Sequence, residues 1–233
     1  MTTVLGADWG RGVYVVAQLD PATLTLRMTT ARDASALLIL PCDVLAVDMP
    51  IGLSEDAVRA CDRAAREHIP GRKSSVFNVP IRSVLDAPTY AEATAQSRSR
   101  TGKGLSPQSF GFMRHIREMD EALATSEARV RERTWEIHPE VSFAALSDGA
   151  TLAHRKKSDE GAALRIAALS GWLSLETVEQ ALADAVGRAA ARDDVLDALA
   201  AAWSAVRIHD GEHSVVTPDT PRDSTGLRMT IAY

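Results

Sequence analysis

Val44-Leu45-Ala46-Val47-Asp48-Met49-Pro50-Ile51-Gly52-Leu53 is a short apolar run that delivers one carboxylate and then breaks at Pro50 and Gly52. Bounded upstream by Pro41, it reads as a strand buried on both faces, as central parallel strands are. The N-terminus repeats the design: Val4-Leu5-Gly6-Ala7 runs into Asp8, followed by a turn at Gly10 and Gly12. In an open parallel sheet, ligands bind outside the carboxyl ends of the strands. Two strands that each end in Asp therefore place two carboxylates on one rim.

Around these strands the pattern predicts a simple order. Val13 to Leu19 and the alternating Leu24 to Thr29 complete a three-stranded meander with the first strand, and a short helix from Ala34 to Leu40 leads into the strand ending at Asp48. Ser54, with Glu55 and Asp56 behind it, reads as the start of a helix running to about His68. The stretch from Gly71 to Arg82 is too apolar for a free linker and reads as an ordered loop, whereas Gln96 to Gly104 reads as the most mobile segment. Ser106-Pro107 is a strong helix start, with Phe110, Met113, Ile116, Met119 and Leu123 at helical spacing behind it. A fifth strand at Thr134 to His138 is broken by Pro139. Helices follow over Val141 to Leu146, Asp159 to Leu169, from a Ser174 cap to about Ala191, and from Asp193 to Val206, with a closing strand at Leu227 to Ala232. The expected fold is α/β, a single domain over 1–233: a mixed five-stranded sheet of order 3-2-1-4-5 flanked by helices. A helical, basic insertion (54–130) separates strands four and five.

Composition narrows the function classes. The net charge is −5, yet the segment from Arg59 to Arg133 holds 14 Lys+Arg against 9 Asp+Glu, so one region is basic within an acidic protein. That segment either faces a phosphate-bearing partner or carries ordinary solvated charge. Cys42 and Cys61 are too few for a disulfide framework or a cysteine metal site. No apolar run approaches the roughly 20 residues that span a bilayer, and no signal peptide is visible. The expected setting is reduced and cytoplasmic, with no membrane partner.

The last helix carries the most chemistry. Asp194 and Asp197 lie three apart and share a face beside Ala198, Ala201 and Ala205, opposite the bulky stripe Val195, Leu199, Trp203 and Val206. From Ala198 to Val206 there is no charge, and a helix apolar all round is buried. The alanines predict close approach to another backbone, with the aspartates at the lip. Asp8, Asp48, Asp194 and Asp197 then converge, and such carboxylates repel strongly without a cation. Oxygen-only ligands suit Mg²⁺ or Mn²⁺, and two such ions about 4 Å apart activate a water and stabilise the leaving oxygen of a phosphodiester. Glu140, just past Pro139, either joins this shell or caps the next helix. His138 is a general acid or base or a hydrogen-bonded structural histidine. Arg72-Lys73-Ser74-Ser75 offers a phosphate grip, Arg66 lies four residues after Asp62 as a substrate contact or an i,i+4 pair, and Lys156-Lys157 reads as solvated.

These motifs resemble a known family. Asp8-Trp9-Gly10, Asp48-Met49-Pro50-Ile51-Gly52-Leu53, Arg59-Ala60-Cys61-Asp62-Arg63-Ala64-Ala65-Arg66 and Ser74-Ser75-Val76-Phe77 are similar to its signatures. So are Glu136-Ile137-His138-Pro139-Glu140-Val141-Ser142-Phe143, Asp194-Val195-Leu196-Asp197-Ala198-Leu199-Ala200 and Gly226-Leu227-Arg228-Met229. The family is the prokaryotic domain-of-unknown-function family four-hundred-twenty-nine, predicted nucleases of ribonuclease H-like fold. The resemblance implies a metal-dependent nuclease acting on nucleic acid or a nucleotide, with Asp8, Asp48 and Asp197 as metal ligands and Asp194 or Glu140 completing the shell. Two alternatives stand beside it. One is a nucleotide- or nucleic-acid-binding module of the same fold. The other is a phosphotransferase, because Asp8-x-Gly10 with Gly12 also resembles the first phosphate loop of sugar-kinase and actin-like ATPases.

Overall fold

The computed structural model describes residues 2–185 and 190–233. Five strands, β1 (Val4–Gly10), β2 (Val13–Leu19), β3 (Leu26–Ala31), β4 (Val44–Asp48) and β5 (Thr134–Glu136), form one sheet of order β3-β2-β1-β4-β5. β1, β2 and β3 pair antiparallel, and β1, β4 and β5 pair parallel. This is the mixed five-stranded order expected from the pattern of strands.

Nine α-helices are described: α1 (Ala34–Leu38), α2 (Ala60–His68), α3 (Tyr90–Thr101), α4 (Pro107–Ala124), α5 (Ala128–Arg133), α6 (Pro139–Leu146), α7 (Asp159–Ser170), α8 (Leu175–Ala185) and α9 (Arg192–Asp210). They cover both faces of the sheet, and the two-residue period of the strands decides which side chain meets which layer. Val4, Val15, Ala17, Val44 and Ala46 pack with Phe143, Leu169, Val178 and the apolar body of α9. Leu5, Ala7, Val16, Leu45 and Val47 face the other way, onto Leu37 of α1 and Met113, Ile116, Met119 and Leu123 of α4. Helices α2 to α5 lie between β4 and β5 in the chain, where the insertion was expected.

The tightest contact is between α9 and β1. A Cβ on Gly6 would lie 2.0 Å from the Ala202 amide nitrogen and 2.3 Å from the Ala198 carbonyl oxygen, so only glycine lets the two backbones meet. The alanine face of α9 is thus the surface of close approach that its composition predicted.

Four local expectations need correction. Ser54 does not start α2. Its hydroxyl accepts from the Ala57 amide in an isolated turn, and the helix begins at Ala60 because the extended Arg59 is drawn inward to buried carboxylates. Gln96 to Gly104 is largely helical: α3 runs to Thr101, where Gly102 caps it in the left-handed conformation. Thr89 holds its other end by accepting from the Glu92 amide. Leu227 to Ala232 makes isolated bridges (Ile137 to Ala232, Val215 to Ala232, Arg222 to Arg228) rather than a strand. The reason is the Asp223 carboxylate, which accepts from the Thr225 and Leu227 amides and bends the chain into a turn. Finally β5 stops at Glu136, and His138 leads into α6 with Pro139 at its first position. The helix capped by Ser174 is described to Ala185; the rest of its expected span, 186–189, lies outside the described residues.

Candidate functional site

The register of β1 on β4 aligns Asp8 with Asp48. Each follows its strand by even steps from a residue that packs under α9, so both carboxylates project toward that helix. Asp197, on the second turn of α9, meets them there. Asp8 is 5% exposed and Asp197 1%, while Asp48 is half-buried. Asp8, Asp48, Arg72, Ser74, Ser75, His138, Glu140, Lys156, Lys157, Asp193, Asp194 and Asp197 border one cleft of about 410 Å³, closed on another side by Trp9, Phe77, Phe112 and Gln108.

The electrostatics are those of crowded acids. Burial, then Asp197 and Asp48, hold Asp8 well above the ordinary carboxylate range. Burial also raises Asp48, against the pull of the neighbouring His138 and Lys156 charges. Asp197 is pushed up to about 6 by burial, partly offset by Lys156. Lys156 Nζ lies 2.5 Å from Asp197 Oδ2 and 4.0 Å from Asp193 Oδ2. Burial works against the ammonium, but Asp197 and Asp8 more than compensate and keep it charged.

Several polar atoms at this rim have no partner. Asp197 Oδ1, Glu140 Oε2, His138 Nδ1 and Arg72 Nε are buried and make no hydrogen bond. The other Glu140 oxygen is doubly engaged, at 2.5 Å from Arg165 Nη2 and 3.3 Å from Arg72 Nη2. Leaving a buried polar atom unpaired costs about 1–3 kcal/mol, so each such atom calls for an explanation.

The expected site residues divide accordingly. Asp8, Asp48, Asp197, Glu140, His138, Arg72, Ser74 and Ser75 come together in the cleft. Asp194 borders it as well, but Oδ2 accepts from the Ala191 amide at 2.8 Å and so caps α9. Its carboxylate fills the space a Cβ on Gly10 would take, 2.2 Å from Cγ, so glycine there lets α9 dock over the end of β1. Lys73 is exposed and outside the lining. Arg66 lies outside the cleft lining. It donates to the Val76 carbonyl and to Asn78 Oδ1, tying down the ordered loop, and Asp62 pairs with Arg59 instead. Lys156, expected to be solvated, is the residue that local reading missed. Its partner Asp197 is 41 positions away, and a Lys-Lys pair before a helix cap carries no local sign of that contact.

Among the described residues, no group of three or more His, Cys, Asp or Glu side chains is arranged to hold a metal ion. The Lys156 ammonium occupies Asp197 Oδ2, where a shared ion would need to sit. The donor chemistry nonetheless fits a hard divalent cation, since Asp197 and Glu140 both border the cleft and each keeps one buried carboxylate oxygen without a partner.

The fold and site define an α/β protein with a mixed sheet whose parallel strand ends carry paired carboxylates beneath a terminal helix. The chain belongs to the family described as "Protein of unknown function (DUF429)", whose model matches residues 6–222. No curated protein and no solved structure is similar to it. No helix among the described residues is long and apolar enough to cross a membrane.

Proposed function

We propose that the cleft hydrolyses phosphodiester bonds of nucleic acid with the help of Mg²⁺ or Mn²⁺, on a ribonuclease H-like framework. The observation that carries this reading is the in-register Asp8–Asp48 pair facing Asp197, with Lys156 on Asp197 the one ion-pair partner of the three among the described residues and with carboxylate oxygens of Asp197 and Glu140 unpartnered. Carboxylates buried at such density are costly unless a cation joins them. Asp8, Asp48 and Asp197 would hold the ion, with Glu140 completing the shell through its free oxygen. When bound, such an ion polarises the phosphoryl group and lowers the pKa of water.

The remaining parts are the protein's own. Arg165, fully buried, fixes Glu140 and so aims its second oxygen at the cleft. Arg72, Ser74, Ser75 and Lys157 offer donors to a phosphate. His138, whose Nδ1 is unpartnered and whose Nε2 lies 3.5 Å from the Ser75 carbonyl, is placed to move a proton.

The test is calorimetric titration of Mn²⁺ and Mg²⁺ into the wild type and into Asp8→Asn/Asp197→Asn. Saturable binding lost in the double variant, followed by cation-dependent cleavage of oligonucleotides, supports the reading. Equal binding by both proteins overturns the assignment of ligands. A second reading, a nucleotide- or nucleic-acid-binding module, draws on the Lys156–Asp197 pair, which supplies a cation from the chain itself. It predicts oligonucleotide binding with no cleavage in any divalent cation.

A further inference from the structure

Asp8 and Trp9 are adjacent on β1, so their side chains leave opposite faces of the sheet. Asp8 faces α9. Trp9 faces α4, where its ring lies 4.2 Å from that of His115 at an interplanar angle of 38°. Phe112 continues this surface at 6.0 Å from His115, and Phe77 follows at 6.0 Å from Phe112. Trp9, Phe77 and Phe112 are all half-buried, and all three border the same cleft as the carboxylates. The cleft therefore has an anionic floor and an aromatic wall, supplied by the two faces of one strand end.

The wall continues past the cleft. Trp9 also borders a second depression of about 450 Å³, lined by Arg32, Asp33, Arg114, His115 and Glu118, with Arg32 on Asp33 at 3.0 Å. Arg32 and Arg114 are exposed there. Trp9 thus forms a ridge between a cleft holding Arg72 and Lys157 and a depression holding two further arginines. At about 410 Å³ the first is the size of a small-molecule pocket, and its carboxylate floor is nearly closed to solvent. A duplex hides its bases in a stack and cannot present a ring to such a wall. A single strand can, with base faces on aromatic side chains and phosphates on flanking cations.

Resting on the nucleolytic reading of this cleft, we infer that its substrate is single-stranded nucleic acid, held by stacking of an unpaired base on the Trp9–Phe112 wall. Gln108, exposed at the mouth, offers an amide donor and acceptor to a base edge.

The test is fluorescence anisotropy with short 5′-labelled oligonucleotides, single-stranded and annealed, with cleavage followed in parallel in Mn²⁺. The proteins are the wild type, Trp9→Leu, Trp9→Phe and Phe112→Leu, each checked for a native circular dichroism spectrum. The expected result is at least tenfold tighter binding of the single strand. Trp9→Leu and Phe112→Leu each lose about tenfold, and Trp9→Phe recovers most of it. Equal or tighter binding of the duplex, no binding of the single strand, or single-strand binding indifferent to both leucine variants overturns the inference. The two claims fail separately. Trp9-dependent binding without cleavage defeats only the nucleolytic reading, and duplex cleavage indifferent to Trp9 defeats only the stacking one.

Discussion

Two clusters of buried acids border the ends of β4 and β5, and they are handled in opposite ways. Beneath the β4 strand end, Arg59 is 4% exposed between Asp62 at 1% and Glu136 at 6%. Its guanidinium donates to Asp62 Oδ1 at 2.6 Å, to Glu136 Oε1 at 2.6 Å and Oε2 at 2.8 Å, and to the carbonyls of Ile51 and Gly52. Glu136 Oε2 also accepts from the Ile51 amide. Every polar side-chain atom there is paired. At the rim above, the Lys156 ammonium pairs with Asp197 while Asp8 and Asp48 make no ion pair among the described residues, and oxygens of Asp197 and Glu140 stay unpaired. The sequence treats both as acids beside strands. The difference teaches that two groups of buried acids can be equally dry and yet differ in whether the chain itself supplies their partners, and the proposed reading assigns the unpaired oxygens of the cleft to a cation.

This contrast can be broken at either end. Arg59→Met leaves Asp62 and Glu136 buried without a cation and is expected to cost about 3–5 kcal/mol, roughly 10 °C in melting temperature for a chain of this size. Urea titration measures it. A loss under 1 kcal/mol would erase the distinction between the clusters.

At the rim the pH response has a defined sign. Asp197 titrates at about 6 when folded against 3.8 in the unfolded chain, so between those values the folded state binds more protons. Stability therefore falls as pH rises from about 4 to 6, by roughly 3 kcal/mol for a shift of this size. Asp8 and Asp48, also raised, add in the same direction. Melting curves across that range should show the decline in the wild type, its reversal by Mn²⁺, and a shallower slope in Asp8→Asn/Asp197→Asn.

Lys156→Gln removes the ammonium that competes for Asp197 and should tighten divalent-cation binding about tenfold, or ~1.4 kcal/mol, by the same calorimetry. Weaker binding would make Lys156 a partner of the ion rather than its rival. The smallest effect is chemical. Burial pushes the Cys61 thiol up to about 12, against the pull of neighbouring Arg59, and Cys42 up to about 11. Neither should alkylate readily at neutral pH, and Arg59→Met should speed Cys61 labelling by loosening its surroundings.

Much of this was legible because strand alternation and terminal carboxylates are local. The apolar runs ending in Asp8 and Asp48 give two strands and their shared rim, and the uncharged stretch from Ala198 to Val206 gives a buried helix with Asp197 at its lip. What stayed hidden depends on partners far along the chain. Arg82 pairs with Asp120, with Asp223 at 2.6 Å and with Glu55 at 3.0 Å, and Asp223 also accepts from the Leu53 amide. That web, joining residues up to 170 positions apart, bends the C-terminal segment away from a strand. Arg59 delays α2 and Lys156 enters the cleft for the same kind of reason. A local pattern cannot tell a lysine in water from one seated on a buried aspartate.

Gly6 carries a consequence for selectivity. Because β1 meets α9 backbone to backbone at Ala198 and Ala202, the spacing between Asp8 and Asp197 is set by two main chains and not by adaptable side chains. The contact acts as a fixed gauge on whatever lies between them. On the cation reading proposed above, a rigid jaw would favour ions ligated at 2.0–2.1 Å over Ca²⁺, which needs 2.3–2.6 Å and more ligands. A methyl group at position 6 would meet the Ala202 amide nitrogen at 2.0 Å, so α9 would have to move off β1 and carry Asp197 with it.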